Sequence, residues 1–136
     1  MPTENFIDDT DAQAVSLLHL SDLHFGKPFD EIVAQALLDQ VKQLKFDAQI
    51  ISGDLTQRAR FEQFKQAKTF LEKLPDKPQL VIPGNHDVPL YHVSRRMIDP
   101  YRNYRQVISE NLNPTLQIPG LIAVGLDSTS PRTSIS

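Results

Sequence analysis

The chain has 136 residues, enough for one domain with a hydrophobic core and too few to expect two. Its net charge of −3 argues against a broad basic surface for nucleic acid or acidic lipid. The absence of cysteine excludes a disulfide framework and a thiolate metal site. A metal would need oxygen and nitrogen ligands, which suit Mn, Mg, Fe or Zn. With neither a signal-peptide pattern at the start nor an apolar run long enough for a membrane span, a cytoplasmic protein is expected.

Strand and helix patterns alternate along the first two thirds of the chain. Residues 1–13 are polar and acidic and predict a solvated tail ahead of one domain over residues 14–136. Short apolar runs predict strands at residues 15–20, 48–52 and 79–82, the first buried on both faces. Helical spacing predicts a helix at 30–46 that buries Ile32, Val33, Ala36, Leu37, Val41 and Leu44. A second helix at 61–74 would bury Phe61, Phe64, Ala67, Phe70, Leu71 and Leu74.

This strand–helix order predicts an α/β fold with a mostly parallel sheet built from repeated βαβ units. The later part of the chain has a weaker pattern. A helix at 93–110 would be interrupted by Pro100, strands are plausible at 116–118 and 121–126, and the Ser/Thr-rich end shows no element.

Each of the three predicted strands is followed by a cluster of polar side chains. From Asp22 to Asp54 is 32 residues, and from Asp54 to Asn85 is 31. A βαβ unit takes roughly 30 residues or more, so all three clusters fall at the carboxyl end of a strand. Ligands bind at that edge of open α/β sheets. Glycines at 26, 53 and 84 allow the sharp turns that would aim the polar side chains at one point.

The side chains in these clusters are suitable ligands for divalent cations. Asp22 and His24 are two residues apart, so an extended segment directs both to one side. Asp54 stands alone after the middle strand and is the candidate to bridge two ions. Two ions roughly 3.5–4 Å apart can clamp the attacking and leaving oxygens of an in-line displacement at phosphorus. His19, inside the first strand, is predicted to be a buried, hydrogen-bonded histidine rather than a ligand.

Three motifs in this order resemble those of the calcineurin-like metallophosphoesterases: D-x-H at residues 22–24, G-D at 53–54 and G-N-H-D at 84–87. The resemblance implies an αββα sandwich of two sheets and hydrolysis of a phosphoester by a metal-bound hydroxide. It implies that Asp22, His24 and Asp54 bind the first of two divalent ions, and that Asp54 and Asn85 bind the second.

The resemblance also assigns other residues near these motifs. It implies that His86 acts on the phosphate as a cation or proton donor. It leaves two roles open for Asp87, a contact with the ligands or substrate and a hydrogen-bonding residue that only fixes its loop. By their closeness to Asp54 in the chain, Thr56, Gln57 and Arg58 are candidates for contacts with the ligands or the substrate.

The residues around the motifs favour one branch of the family. Gln57 stands where the protein phosphatases have the second acid of G-D-x-x-D-R-G, which disfavours a protein phosphatase. The first motif lacks the tryptophan usual in repair exonucleases, which argues against a nuclease and a nucleic-acid partner. The three stretches look most like the bacterial cyclic-nucleotide phosphodiesterases, so the expected substrate is a nucleotide-type or other small phosphodiester.

One departure from the family pattern bears on activity. The family completes its site with later G-H and G-H-x-H motifs, but this chain has no histidine after His92. The sandwich is therefore expected to be incomplete, with weak metal binding and an uncovered sheet face through which the chain self-associates. The alternatives are a non-catalytic binding or scaffold protein on the same fold and a nuclease similar to the repair exonucleases.

Overall fold

The computed structural model describes residues 14–89 and 93–129, apart from the side chains of Val93, Arg95 and Arg96. The predicted acidic tail, His92 and the end of the chain after Thr129 lie outside the described residues.

A parallel three-stranded sheet forms the centre of the fold and confirms the predicted α/β class. Its strands stand in the order β1–β2–β3, and two helices connect them. The elements are β1 (Leu17–Leu20), α1 (Glu31–Val41), β2 (Ala48–Ser52), α2 (Phe61–Glu72) and β3 (Gln79–Ile82). Because the strands are parallel, their carboxyl ends all lie at one edge of the sheet.

The buried face of α1 differs from the prediction. Asp30 caps the helix, because its Oδ1 accepts hydrogen bonds from the backbone N–H of Ile32 at 2.8 Å and of Val33 at 3.4 Å. Leu38 and Val41 are the buried residues of the helix. The predicted core positions Ile32, Val33, Ala36 and Leu44 are exposed, and the helix ends five residues before the predicted boundary, at Val41 rather than at residue 46. The apolar residues of α1 lie on more than one face, and packing in the hydrophobic core selected the face that contains Leu38 and Val41.

The buried face of α2 matches the prediction except at its first residue. Phe64, Ala67, Phe70 and Leu71 are buried, whereas Phe61 is exposed. Leu74 is buried too, but the helix ends at Glu72 rather than at the predicted residue 74. Tyr104 packs edge-to-face on Phe64, with ring centroids 5.9 Å apart. It lies on α4 (Arg102–Val107), which follows α3 (Val93–Ile98) after a break at Pro100, as the sequence predicted.

The prediction that β1 is buried on both faces is wrong. The residues of β1 alternate between exposed and half-buried, because the strand stands at an edge of the sheet. His19 is therefore exposed rather than buried, and its Nε2 lies 2.6 Å from Oγ of Ser52.

A hairpin of two further strands lies against the central sheet. Strands β4 (Thr115–Ile118) and β5 (Leu121–Val124) pair antiparallel, which confirms both predicted strands. A Cβ on Gly125 would lie 3.2 Å from Leu80, so the hairpin passes close to β3. Ile122, Val124 and Leu126 are exposed, and we call these three residues the hairpin stripe. No helix in the described part of the chain is both long and apolar enough to cross a membrane.

Candidate metal centre

The segments that follow β1 and β2 continue side by side beyond the sheet. The backbone N–H of His24 donates to the carbonyl of Asp54 at 2.9 Å, and that of Phe25 donates to Leu55 at 2.8 Å. The N–H of Asp22 donates to the carbonyl of Gly53 at 3.2 Å. These bonds hold the first two polar clusters against each other.

Three of the predicted ligands have a left-handed backbone. The φ angles of Asp22, His24 and Asp54 are 57°, 48° and 51°. This conformation costs a residue with a side chain roughly 1–2 kcal/mol. Strained backbone of this kind concentrates at functional sites, where the surrounding structure enforces it. The same three residues therefore stand out by backbone geometry as well as by side-chain chemistry.

The side chains of these residues converge as metal ligands would. Nε2 of His24 lies 3.6 Å from Oδ1 of Asp22 and 3.9 Å from Oδ2 of Asp54. The three ligand atoms all lie within 4.8 Å of one another. Two ligands that are each about 2.1 Å from one ion lie at most about 4.2 Å apart, so both histidine–carboxylate distances fit a shared cation. Ser21 supports the group, because its hydroxyl donates to Oδ2 of Asp22 at 2.6 Å.

Asn85 extends the group on the far side of Asp54. One terminal atom of its amide lies 3.2 and 3.3 Å from the two carboxylate oxygens of Asp54. With the amide nitrogen in that position, Asn85 donates to both oxygens. With the amide oxygen there, the oxygens repel one another unless a cation lies between them. The pair therefore has the donor chemistry for a second cation shared by Asp54 and Asn85.

His86 follows Asn85 in the same loop, and its backbone and its ring are each held by a hydrogen bond. Its backbone N–H donates to Oδ1 of Asp54 at 2.9 Å, and its ring meets that of His24 edge-to-face at 4.8 Å. Its Nδ1 lies 3.1 Å from the carbonyl of Gln57. A carbonyl only accepts hydrogen bonds, so Nδ1 carries a proton and Nε2 remains for exchange with a substrate.

Asp87 points into the protein rather than toward the cluster. It is 1% exposed, and its carboxylate accepts hydrogen bonds from Leu55, Thr56 and Gly84. Burial raises the pKa of Asp87 above its ordinary value, and these hydrogen bonds oppose that shift without cancelling it. Thr56 is equally buried, whereas Arg58 is exposed on the same loop, where its backbone N–H donates to Gln63.

The structure thus brings Asp22, His24, Asp54, Asn85 and His86 together at the carboxyl edge of the sheet. Their individual roles stay predictions. Thr56 and Asp87 lie behind them, at the junction of two loops. Sequence reasoning did not foresee the bond from the carbonyl of Gln57 to His86, and it missed the hydroxyl of Ser21. Every residue has a carbonyl, so no side-chain pattern could have identified the first, whereas the position of Ser21 beside Asp22 was a signal for the second.

Comparison with known families agrees with this geometry. The family model of the calcineurin-like phosphoesterases matches residues 15–128. The chain belongs to this family. Membership confirms the resemblance at the level of the superfamily and implies metal-dependent hydrolysis of phosphoesters. The resemblance to the cyclic-nucleotide branch stays a prediction. A comparison with curated proteins gives no significant match.

Proposed function

We propose that this site hydrolyses a small phosphodiester of the nucleotide type with the help of two divalent cations. The convergence of Asp22, His24 and Asp54 at the sheet edge carries the proposal. These three residues would hold the first cation, and Asp54 and Asn85 the second. Bound there, the cations would supply positive charge to the phosphoryl oxygens and make water a better nucleophile near neutral pH.

The protein's own contribution centres on His86. The bond from its Nδ1 to the Gln57 carbonyl fixes the ring and leaves Nε2 as the exchangeable position. A proton held on Nε2 would stabilise charge on the phosphoryl group or pass to the leaving oxygen, a contribution usually worth about 10²–10⁴-fold in rate. Asp22 and Asn85 are both exposed, which leaves the edge of the site open to a substrate.

One observation favours a second candidate, a non-catalytic binding protein on the same fold. Among the residues that the structure describes, Asp54 and Asn85 are the two ligands that we assign to the second cation. A cation with two protein ligands leaves most of its coordination to water and exchanges readily. In this alternative the first cation would have a structural role, and turnover would be absent.

Calorimetric titration with Mn²⁺ tests the metal assignment. Asp54→Ala should abolish binding, because this carboxylate belongs to both proposed cation sites. His19→Ala is the matched control, since His19 is exposed, bonds to Ser52 and lies outside the cluster. Equal losses in the two variants would show the assignment to be wrong.

Hydrolysis of bis(p-nitrophenyl) phosphate with excess Mn²⁺ separates the two candidate functions. Turnover that disappears in Asp54→Ala supports the hydrolase. Saturable Mn²⁺ binding without turnover in the wild-type chain supports the binding protein.

A further inference from the structure

The junction of the two loops behind the cluster contains a buried carboxylate with no part in the proposed chemistry. Asp87 accepts four hydrogen bonds: from the N–H and hydroxyl of Thr56 at 2.8 and 2.9 Å, from the N–H of Leu55 at 3.1 Å, and from the N–H of Gly84 at 2.9 Å. Four donors satisfy both carboxylate oxygens. Asp87 is therefore built into the protein as an internal anion rather than as a cation ligand.

Two of these donors follow Asp54 directly in the chain. The N–H groups of Leu55 and Thr56 are successive and converge on one carboxylate, which is the anion-binding arrangement called a nest. Both residues are fully buried, so without an anion their N–H groups would lose hydrogen bonds that water could not replace. The anion thereby stabilises a turn that begins at Asp54, whose φ of 51° is otherwise unfavourable.

The remaining N–H donor ties this turn to the loop that contains Asn85 and His86. Because Asp87 binds Gly84 as well as Leu55 and Thr56, it fixes the two loops relative to each other. The N–H of His86 in turn donates to Oδ1 of Asp54 at 2.9 Å. The position of the Asp54 carboxylate beside Asn85 thus depends on a bond network that starts at Asp87.

We propose that Asp87, together with the hydroxyl of Thr56, is a positioning device that sets the Asp54 carboxylate for cation binding. The proposal rests on the metal site of the proposed function. It adds that Asp87 and Thr56 hold that site in place without contacting the cations or the substrate. Thr56 takes part because its Oγ1 donates to Asp87 and accepts from the N–H of Ala59 at 3.0 Å. Ala59 is another left-handed residue, with a φ of 52°.

Four variants of the full chain test the proposal. Asp87→Asn keeps the shape of the side chain but replaces one accepting oxygen by an NH₂ group, a donor that faces other N–H groups. Thr56→Val keeps the shape of the side chain and removes its hydroxyl. Thr56→Ser restores the hydroxyl. Tyr104→Phe is the matched control for stability, because it removes a different buried bond, from Tyr104 to the carbonyl of Val81 at 3.2 Å.

Mn²⁺ affinity, measured by calorimetry on the folded fraction, is the first measurement. Asp87→Asn and Thr56→Val should bind Mn²⁺ roughly 10–100-fold more weakly, the usual effect of removing a group that orients a ligand. Thr56→Ser and Tyr104→Phe should stay within about threefold of wild type, although Tyr104→Phe unfolds at a lower temperature. Unchanged affinity in Asp87→Asn and Thr56→Val, with only lower unfolding temperatures, would overturn the proposal.

Amide hydrogen exchange at His86 is the second measurement and needs no metal. This amide bonds to Asp54 rather than to Asp87, so its protection reports the position of the Asp54 carboxylate. Protection should fall in Asp87→Asn and Thr56→Val and persist in Thr56→Ser and Tyr104→Phe. If the wild-type chain bound no Mn²⁺, the proposed function would fail, and the exchange result alone would decide the positioning role. Equal protection in all four variants would refute that role.

Discussion

Replacing Gly84 by alanine should displace Asp54, although the backbone conformation of residue 84 itself suits alanine. Gly84 has a φ of −109° and a ψ of −177°, an extended conformation that alanine adopts freely. A Cβ at this position would lie 3.0 Å from Cγ of Asp54 and closer still to its Oδ1 and backbone nitrogen. The collision is therefore with the residue that we assign to both cations.

The size of the effect follows from these distances. Ordinary contact begins at 3.4 Å, so the backbone nitrogen and Oδ1 of Asp54, each 2.3 Å from that Cβ, must both move by about 1 Å. The carboxylate cannot simply rotate away, because Oδ1 holds the N–H of His86. Functional groups need placement within about 0.5 Å, and a misplacement of about 1 Å can cost roughly 10²-fold in rate. We expect Mn²⁺ affinity to fall at least about tenfold, and the free energy of unfolding to fall by about 1–3 kcal/mol.

Mn²⁺ calorimetry and chemical denaturation would be run beside Gly120→Ala as the control. Gly120 has a φ of 82° and lies in the hairpin turn, where a Cβ would be 3.1 Å from Val15. Alanine in that left-handed position should cost about 1–2 kcal/mol of stability while leaving Mn²⁺ binding intact. Wild-type affinity in Gly84→Ala would refute the reasoning, since the Asp54 carboxylate would then tolerate displacement.

Three further predictions concern other parts of the molecule. His86→Ala should leave Mn²⁺ binding nearly unchanged while lowering diester turnover by about 10²–10⁴-fold, and loss of the metal would instead identify His86 as a ligand. The sequence predicts self-association through an uncovered apolar surface, and the exposed hairpin stripe is such a surface, so Val124→Lys should weaken it. Gln40→Lys adds the same charge at an exposed position of α1 and should not, as sedimentation velocity would show. Burial raises the pKa of Tyr101 to about 12, so stability should fall as pH rises above about 10, where the unfolded tyrosine ionises first. Tyr101→Phe should reduce that fall between pH 10 and 12 by less than about 1.4 kcal/mol per pH unit, because solvent partly screens the hydroxyl; urea denaturation measures it, and an unchanged slope would contradict the prediction.

The order of elements and the location of the site followed from the sequence. Asp22, Asp54 and Asn85 recur at the period of a βαβ unit, and parallel strands bring their carboxyl ends to one edge. The family followed from the same residues, because the chemistry of cation binding restricts both the side chains and their spacing. Local pattern was sufficient for these features since each depends on a strand and the few residues after it.

The tertiary structure decided which surfaces are covered. The apolar residues of α1 permitted more than one buried face, and packing in the hydrophobic core buried Leu38 and left Ile32 exposed. His19 is exposed because β1 is an edge strand, and strand order is not encoded in the apolar run itself. The left-handed turn at Asp54 and its stabilisation by Asp87 also required the fold, because the bonds that hold it join residues about thirty positions apart. Such contacts depend on how two loops meet in space, and the sequence near either loop does not specify that meeting.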